Sequence, residues 1–450
     1  MKLDRYNKIY FIGIGGIGMS ALARFFHYQG KNVSGYDRTP TDITDGLIEL
    51  GIQIHFEDDV SQIDVPFLDS AQTLVIYTPA VPREHKELSH FVNEGFEVIK
   101  RADALSAVAG QADCLAIAGT HGKTTTTSIL GHLLAEYGIE VTAFLGGISE
   151  NYQSNLILKG DKVFVVEADE FDRSFLKLSP DMACITSMDA DHLDIYGDKE
   201  ELVKTFKAFA SNVKPGGRLF VTAGLPIDGI SCGIETNADY QIKNIKIEEG
   251  TYVFDLQTPD SLYENFKFNL PGRHNLSNAL IALAMAIEYG CAPYRLVRAL
   301  ASYKGVKRRF TYLIKSDHLV VIDDYAHHPE EINAVYDAVR EMYPGKRTLV
   351  LFQPHLYSRT QDFAEEFAES LSKFDEVLLL DIYPAREKPI EGVTSSWLLD
   401  KVNNKNKRLI SKAEILSELE QSSAQVIMTL GAGDIGEEAK SIKEKLSLAS

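Results

Sequence analysis

Short apolar runs, each leading into a glycine- or acid-rich stretch and then into apolar positions at helical spacing, recur along the whole chain. Lys8 to Ile14 reads as a strand, a helix follows from about Met19 to Tyr28 and stops at Gly30, and a second strand, Asn32 to Gly35, ends at Asp37. The runs Thr73 to Tyr77 and Phe96 to Ile99 complete a small α/β domain ending near Leu105. A new strand, Cys114 to Ala118, precedes a helix with Ile129, Leu130, Leu133, Leu134 and Tyr137 on one stripe. Val163 to Val166 and Ala183 to Thr186 are further strands. A helix at Asn275 to Tyr289 follows the turn Pro271 to His274, and the basic stretch Gly305 to Phe310 reads as a connector. Beyond it lie four more apolar strands, Leu319 to Ile322, Thr348 to Phe352, Val377 to Leu380 and Val426 to Leu430. Helical patterns separate them, as at Phe363, Phe367, Leu371 and Phe374. Strands alternating with helices imply parallel sheets covered on both faces. The fold class expected is α/β, with three consecutive domains, each built on a mainly parallel sheet and spanning 1–105, 106–305 and 306–450.

The 450 residues are 45% hydrophobic and 24% charged, the balance of a globular protein with ample cores. A formal net charge of -18 argues against nucleic acid or an anionic membrane as partner. Anionic ligands must then be held by local glycine loops, basic side chains and metals. Cys114, Cys184, Cys232 and Cys291 are widely spaced and read as small buried hydrophobes in a reducing compartment, not as disulfides or zinc ligands. The polar start, Met1 to Lys8, has no signal-peptide pattern, and Ala279 to Ile287 is too short to span a bilayer. The expectation is a cytoplasmic protein, monomer or homodimer.

Gly119-Thr120-His121-Gly122-Lys123-Thr124-Thr125 is the most informative run. A strand, a glycine loop and a helix start in that order make a phosphate cradle, because loop and first-turn amides point at the anion and the helix dipole adds positive potential. Lys123 can reach the β/γ-phosphates, and the Thr124 hydroxyl can ligate Mg²⁺. The common form of this loop has a glycine five residues before the Gly-Lys pair, where Ile117 stands, so this is a shortened variant. The chain is expected to bind ATP. Since the loop's path is set by its glycines, removing the Lys123 side chain is expected to leave the fold intact.

Ligands of open α/β sheets sit beyond the carboxyl ends of strands, and the polar clusters fall there. Glu167, in Glu-Ala-Asp-Glu after Val166, is placed to hold Mg²⁺. His192, with Asp191 and Asp194, is placed to ligate or orient a second metal. Asn275 and Asn278 share a helix face, where they would bond either a base or a neighbouring loop. Asp323-Asp324-Tyr325-Ala326-His327-His328 precedes Pro329, a residue suited to a first helical position, and His328 could be a cap or a ligand. Gln353 to Thr360 repeats the arrangement and puts Arg359 near a helix start, where a carboxylate would be welcome. Near the N-terminus Gly13, Gly15 and Gly18 satisfy G-x-G-x-x-G, and Asp37 lies where a ribose hydroxyl would be bound, the opening of a Rossmann-like unit. Alone this motif would suggest a nicotinamide-dependent oxidoreductase. That reading leaves the ATP loop without a purpose, and a sugar-nucleotide ligand would use the same amides for its pyrophosphate.

Taken together these motifs resemble the Mur ligases over nearly the whole chain: Gly13 to Ser20, Gly119 to Thr126, Glu167 to Glu170, Asp189 to Asp194, Pro271 to Asn275, Arg308 to Phe310, Asp323 to Pro329, Gln353 to Thr360 and Gly431 to Gly436. The resemblance implies an ATP-dependent amide synthetase of peptidoglycan assembly that joins L-alanine to the lactyl carboxylate of UDP-N-acetylmuramate through an acyl phosphate. It implies a first domain holding the UDP sugar with Gly13, Gly15, Gly16, Ile17, Gly18 and Asp37. The second domain would bind ATP with Gly119 to Thr125, together with Asn275, Asn278, Arg309 and Asp324. Thr124 and Glu167 would ligate one Mg²⁺ and His192 a second, with Lys123, Glu167, His192 and Arg309 in catalytic roles. The third domain would bind the amino acid with His328, His355 and Arg359. Two departures stand out: many members have arginine where Leu356 stands and glycine where Ala326 stands. The sister ligase that recycles murein tripeptide is the nearest rival; its glycine loop carries Cys-Gly-Thr, unlike Gly15-Gly16-Ile17. A folate-polyglutamate synthetase lacks the leading domain, and a non-enzymatic ATP-binding scaffold leaves the acidic and histidine clusters without a task.

Overall fold

The computed structural model describes residues 3–82, 84–170, 173–189, 199–248, 250–385 and 387–449. The chain forms two compact units, one of Met1–Lys246, Val253–Phe268 and Ser277–Lys304, the other of Ile247–Tyr252, Asn269–Leu276 and Gly305–Ser450. No helix among the described residues is long and apolar enough to cross a membrane.

The first unit opens with a five-stranded sheet of β1 (Lys8–Ile12), β2 (Asn32–Tyr36), β3 (Gln53–His55), β4 (Thr73–Tyr77) and β5 (Glu97–Lys100), in the order β3-β2-β1-β4-β5. All its pairings are parallel. Both faces of β1 are buried, Ile9 and Phe11 in one apolar cluster and Tyr10 and Ile12 in another, which explains why it reads as an unbroken apolar run. The chain returns to the far side of β1 only with β4, so the loop after β1 lies where the strand order reverses, the place where such sheets bind ligands.

A second, ten-stranded sheet contains β6 (Asp113–Ala118), β7 (Val141–Ser149), β8 (Ser154–Leu158), β9 (Val163–Glu167), β10 (Met182–Ile185), β11 (Arg218–Thr222), β12 (Ile230–Ile234), β13 (Tyr240–Glu248), β14 (Thr251–Gln257) and β15 (Leu262–Phe268). Their order is β15-β14-β13-β12-β11-β10-β6-β9-β7-β8. From β12 to β7 the pairings are parallel, and β8 runs antiparallel to β7. The two sheets of this unit share a core. The Ile17–Tyr28 helix of the first sheet packs Phe25 against Phe144 of β7 and Phe164 of β9, with ring centroids 5.5 and 5.7 Å apart.

The second unit has six strands, β16 (Thr311–Lys315), β17 (Val320–Asp324), β18 (Thr348–Phe352), β19 (Glu376–Leu379), β20 (Lys407–Leu409) and β21 (Val426–Leu430), in the order β16-β17-β21-β18-β19-β20. Only β16 is antiparallel to its neighbour. The four apolar runs of the sequence are the four central strands, buried from both sides by separate apolar clusters. β16 and β20 are edge strands with part-exposed residues, so they carry no continuous apolar signal. The mainly parallel α/β architecture is as expected.

Candidate active site

β6 sits between β9 and β10, with Ile117 opposite Glu167 and Ala118 opposite Ile185, so the loop after β6 emerges between two acidic strand ends. Gly119 has φ +138°, and a Cβ there would lie 2.1 Å from Thr186 Oγ1. Gly122 has φ +85°, and its Cβ would lie 2.4 Å from the Asn278 side chain. Both positions need glycine for conformation and for space. Ser187 clamps the loop: its Oγ lies 2.9 Å from Thr120 Oγ1 and accepts from the His121 amide at 2.8 Å. Thr186 donates to the Ala118 carbonyl at 3.1 Å. Neither Thr186 nor Ser187 was singled out from sequence; their only signal was a place at the end of an apolar strand beside the loop strand.

Gly122 caps the Lys123–Tyr137 helix, whose first-turn amides face the loop's concavity. Lys123 Nζ donates to Glu170 Oε1 at 2.7 Å and to the Gly119 and Thr120 carbonyls at 2.6 and 3.4 Å. Glu170 is buried, which pushes its carboxyl above the ordinary range, while Lys123 opposes the shift. The lysine therefore holds the loop as well as facing it, which corrects the expectation that the fold is independent of its side chain. Thr124 Oγ1 donates to Glu167 Oε2 at 3.2 Å, and Glu167 Oε1 accepts from the Gly146 amide at 2.6 Å. Burial raises the Glu167 carboxyl too. A Cβ on Gly146 would come within 2.7 Å of Glu167 Oε2 and 2.9 Å of Thr124 Oγ1, so this glycine keeps the two oxygens uncovered. Two hard oxygen donors side by side at the mouth of a phosphate cradle suit Mg²⁺. His192, with Asp191 and Asp194, lies outside the described residues.

The expected pair Asn275 and Asn278 divides its work. Asn278 backs Gly122, whereas Asn275 Nδ2 donates to the Pro271 carbonyl at 2.6 Å, one turn back in the same segment.

At the end of β1, Gly13 turns with φ +86° and the Gly15 amide donates to Asp37 Oδ2 at 2.7 Å. Gly16 caps the Ile17–Tyr28 helix. Gly13, Gly15, Gly16, Ile17, Gly18 and Asp37 thus come together around one helix start. A residue missed from sequence secures it: Asn155 of β8, almost fully buried, donates to the Ile17 carbonyl at 2.6 Å and to Ser20 Oγ at 2.8 Å.

In the second unit, Asp324 ends β17 with both carboxylate oxygens taken by backbone amides, of Phe310 at 2.6 Å and Ala326 at 2.7 Å. Burial lifts its carboxyl to about 6, opposed by Arg309. Arg308 bonds Asp323 and the Gly431 and Gly433 carbonyls, while the Arg309 guanidinium lies over the Tyr325 ring, 5.5 Å from its centroid. Arg308 and Phe310 both have positive φ, so the connector is bent sharply around Arg309. Ala326 is not among the positive-φ residues, so its backbone does not call for glycine.

His355 and Arg359 meet at the end of β18, with Nδ1 and Nη1 3.3 Å apart. Burial, then the charges of His327 and Arg359, hold His355 down to about 4, so it is neutral at physiological pH. The rings beside His355 are those of Tyr383, stacked at 5.7 Å, and His327, 6.0 Å away, whereas the His328 ring packs against Phe363 at 4.6 Å. His327 is thus the histidine that sequence reasoning passed over. Leu356 has φ +72° and caps the Tyr357–Asp362 helix, with its amide bonded to the Tyr383 carbonyl. It is half-buried, not a core residue.

The four cysteines are free and buried, and burial raises the thiols of Cys114 and Cys291 to about 12 and about 11.

Comparison with known proteins follows this layout. Residues 8–112 match the Mur ligase family catalytic domain, 117–286 the Mur ligase middle domain, and 308–436 the domain described as Mur ligase, glutamate ligase domain. The chain is 62% identical over 445 residues to the UDP-N-acetylmuramate–L-alanine ligase of Christiangramia forsetii, covering 99% of this chain and 98% of that protein. It is 57% identical over 447 residues to the enzyme of the same name from Flavobacterium johnsoniae, covering 99% of each. Its structure is similar to the crystal structure of UDP-N-acetylmuramate-alanine ligase from Thermotoga maritima, with a TM-score of 0.83, 28% identity, and coverage of 98% of this chain and 100% of that one.

Proposed function

The chain belongs to the Mur ligase family, and from that premise we infer that it joins L-alanine to UDP-N-acetylmuramate at the expense of ATP, a step of peptidoglycan precursor synthesis. The observation that carries the ATP half is the cradle of Gly119 and Gly122, with Lys123 inside it and Thr124 and Glu167 at its mouth.

The roles proposed follow the segments 1–105 for the UDP sugar, 106–305 for ATP and Mg²⁺, and 306–450 for the amino acid. A carboxylate is a poor electrophile because its negative charge repels the amine and it has no good leaving group. The lactyl carboxylate oxygen attacks the γ-phosphorus of ATP, the bond to the β-phosphate oxygen breaks, and ADP leaves with the electron pair. The neutral amine of L-alanine then attacks the acyl carbon of the resulting acyl phosphate. The tetrahedral adduct loses inorganic phosphate, and the amine gives up a proton to leave the amide. Transfer of this kind is accelerated mainly by positioning and charge neutralisation.

Lys123 would leave Glu170 for the transferring phosphoryl group. The loop amides would hold the β-phosphate, with Asn278 fixing Gly122. Mg²⁺ held by Thr124 and Glu167 would neutralise phosphate charge, and a second Mg²⁺ at His192 is part of the same proposal. Gly13, Gly15, Gly16, Ile17 and Gly18 would take the pyrophosphate and Asp37 the ribose. Arg309 and Asp324 belong to the proposed ATP set, with Asp324 acting through the connector it pins. Arg359 would receive the L-alanine carboxylate, with His355 beside it, and His328 belongs to the same proposed set.

The deciding assay is phosphate release from ATP with UDP-N-acetylmuramate, with and without each amino acid. Release that needs the sugar nucleotide and is greatest with L-alanine is expected. Release independent of the sugar nucleotide would sink the reading. A thermal shift by UDP-N-acetylmuramate and none by NAD separates ligase from oxidoreductase, because a ligand of the native state stabilises it by mass action.

A further inference from the structure

The third glycine of the N-terminal motif, Gly18, is vacated for a side chain. The three atoms nearest to a Cβ there would all belong to Arg101: Nη1 at 2.9 Å, Cδ at 3.1 Å and Cζ at 3.5 Å. In dinucleotide-binding folds this glycine normally lets helix and strand pack closely; here no backbone atom is among those neighbours. Arg101 opens the Arg101–Ala109 helix directly after β5, at the carboxyl edge of the first sheet. Its guanidinium also faces Asp169, at 3.6 Å, in the acidic stretch that carries Glu167 and Glu170. The Arg101 side chain is 28% exposed and that of Asp169 42%. So long and open a pair adds little to stability, and stability does not account for a glycine reserved beneath the arginine.

We propose that Arg101 is a substrate-binding residue, whose guanidinium, seated on Gly18 and oriented by Asp169, takes an anionic oxygen of the sugar nucleotide between the two glycine loops of the first unit. The inference rests on the reaction proposed above. Guanidinium is suited to the task because its planar donors can bond an oxyanion on one edge while Asp169 steers the other. Two groups on this substrate offer such oxygens, the pyrophosphate and the lactyl carboxylate. Gly18 lies in the first turn of the helix whose start faces the pyrophosphate, and Asp169 follows the strand that ends at Glu167, where the carboxylate must arrive.

The test is steady-state kinetics on the full-length enzyme with Arg101→Ala, Arg101→Lys and Gly18→Ala. Gly18 is not among the positive-φ glycines, so alanine suits its backbone and acts by displacing Arg101. Arg101→Ala is expected to raise KM for UDP-N-acetylmuramate by roughly ten- to a hundredfold, the loss of one charged hydrogen bond or pair, with KM for ATP and L-alanine unchanged. Arg101→Lys and Gly18→Ala should give smaller rises in the same KM. Inhibition by UDP, which has the pyrophosphate but no lactyl carboxylate, identifies the oxygen. A weaker UDP inhibition in Arg101→Ala assigns the pyrophosphate, and an unchanged one assigns the carboxylate. An unchanged KM for the sugar nucleotide in both Arg101 variants overturns the proposal, as does a rise in all three KM values together. Wild-type enzyme that releases no phosphate with UDP-N-acetylmuramate would instead refute the underlying reaction.

Discussion

Replacing Lys123 with alanine should cost both turnover and stability, and a second substitution should return the stability alone. Lys123 Nζ is 2.7 Å from Glu170 Oε1, and the glutamate side chain is only 1% exposed. Removing one partner of a buried pair typically costs about 3 to 5 kcal/mol, because the other charge stays desolvated. Glu170 can escape part of this by taking up a proton. Its carboxyl is already raised by burial, and losing Lys123 removes the main opposing influence. A carboxyl raised in the folded state favours folding at low pH, and that contribution disappears as pH climbs towards the folded value. Lys123→Ala should therefore lose stability as pH rises from the ordinary glutamate range, by up to about 1.4 kcal/mol per pH unit. Lys123→Ala/Glu170→Gln removes the stranded charge, so it should unfold at higher urea than the single variant and depend less on pH. Both should be nearly inactive, because neither has a lysine to meet the γ-phosphate. Circular dichroism is the suitable probe, since Trp397, the single tryptophan, lies in the second unit. A single variant as stable as wild type, or a double variant no more stable than the single, would refute the reasoning.

Arg359→Ala should raise KM for L-alanine roughly ten- to a hundredfold with ATP and sugar-nucleotide values little changed, as expected for one lost charged hydrogen bond; an unchanged L-alanine KM removes Arg359 from the site. Gly119→Ala should abolish ATP-dependent phosphate release while circular dichroism stays native-like, because φ +138° and a Cβ 2.1 Å from Thr186 Oγ1 force the loop to move; near-normal release would show that the loop tolerates a side chain and is not the rigid cradle described.

The sequence by itself determined the features that depend on local chemistry. Central strands such as β1, β6, β17 and β18 are buried on both faces, so their apolar runs announce them, and the turns after β1 and β6 carry glycines at positive φ. That local grammar gave the α/β class, both glycine loops, Lys123, Thr124, Glu167, and the place of Arg359 near a helix start. It was silent on half-exposed and edge strands such as β13 and β20, whose apolar content is diluted by solvent-facing residues.

Only the tertiary structure decided which distant residues complete each site. Ser187 reaches Thr120 across 67 positions, and Asn155 reaches Ile17 across 138, because neighbouring strands and packed helices bring their ends together. Lys123 meets Glu170 rather than solvent for the same reason, and the histidine ring beside His355 belongs to His327 rather than to His328. Each of these outcomes depends on strand order and on which face a side chain takes. Spacing along a sequence carries neither, since a hydrogen bond between remote residues leaves no period in the chain.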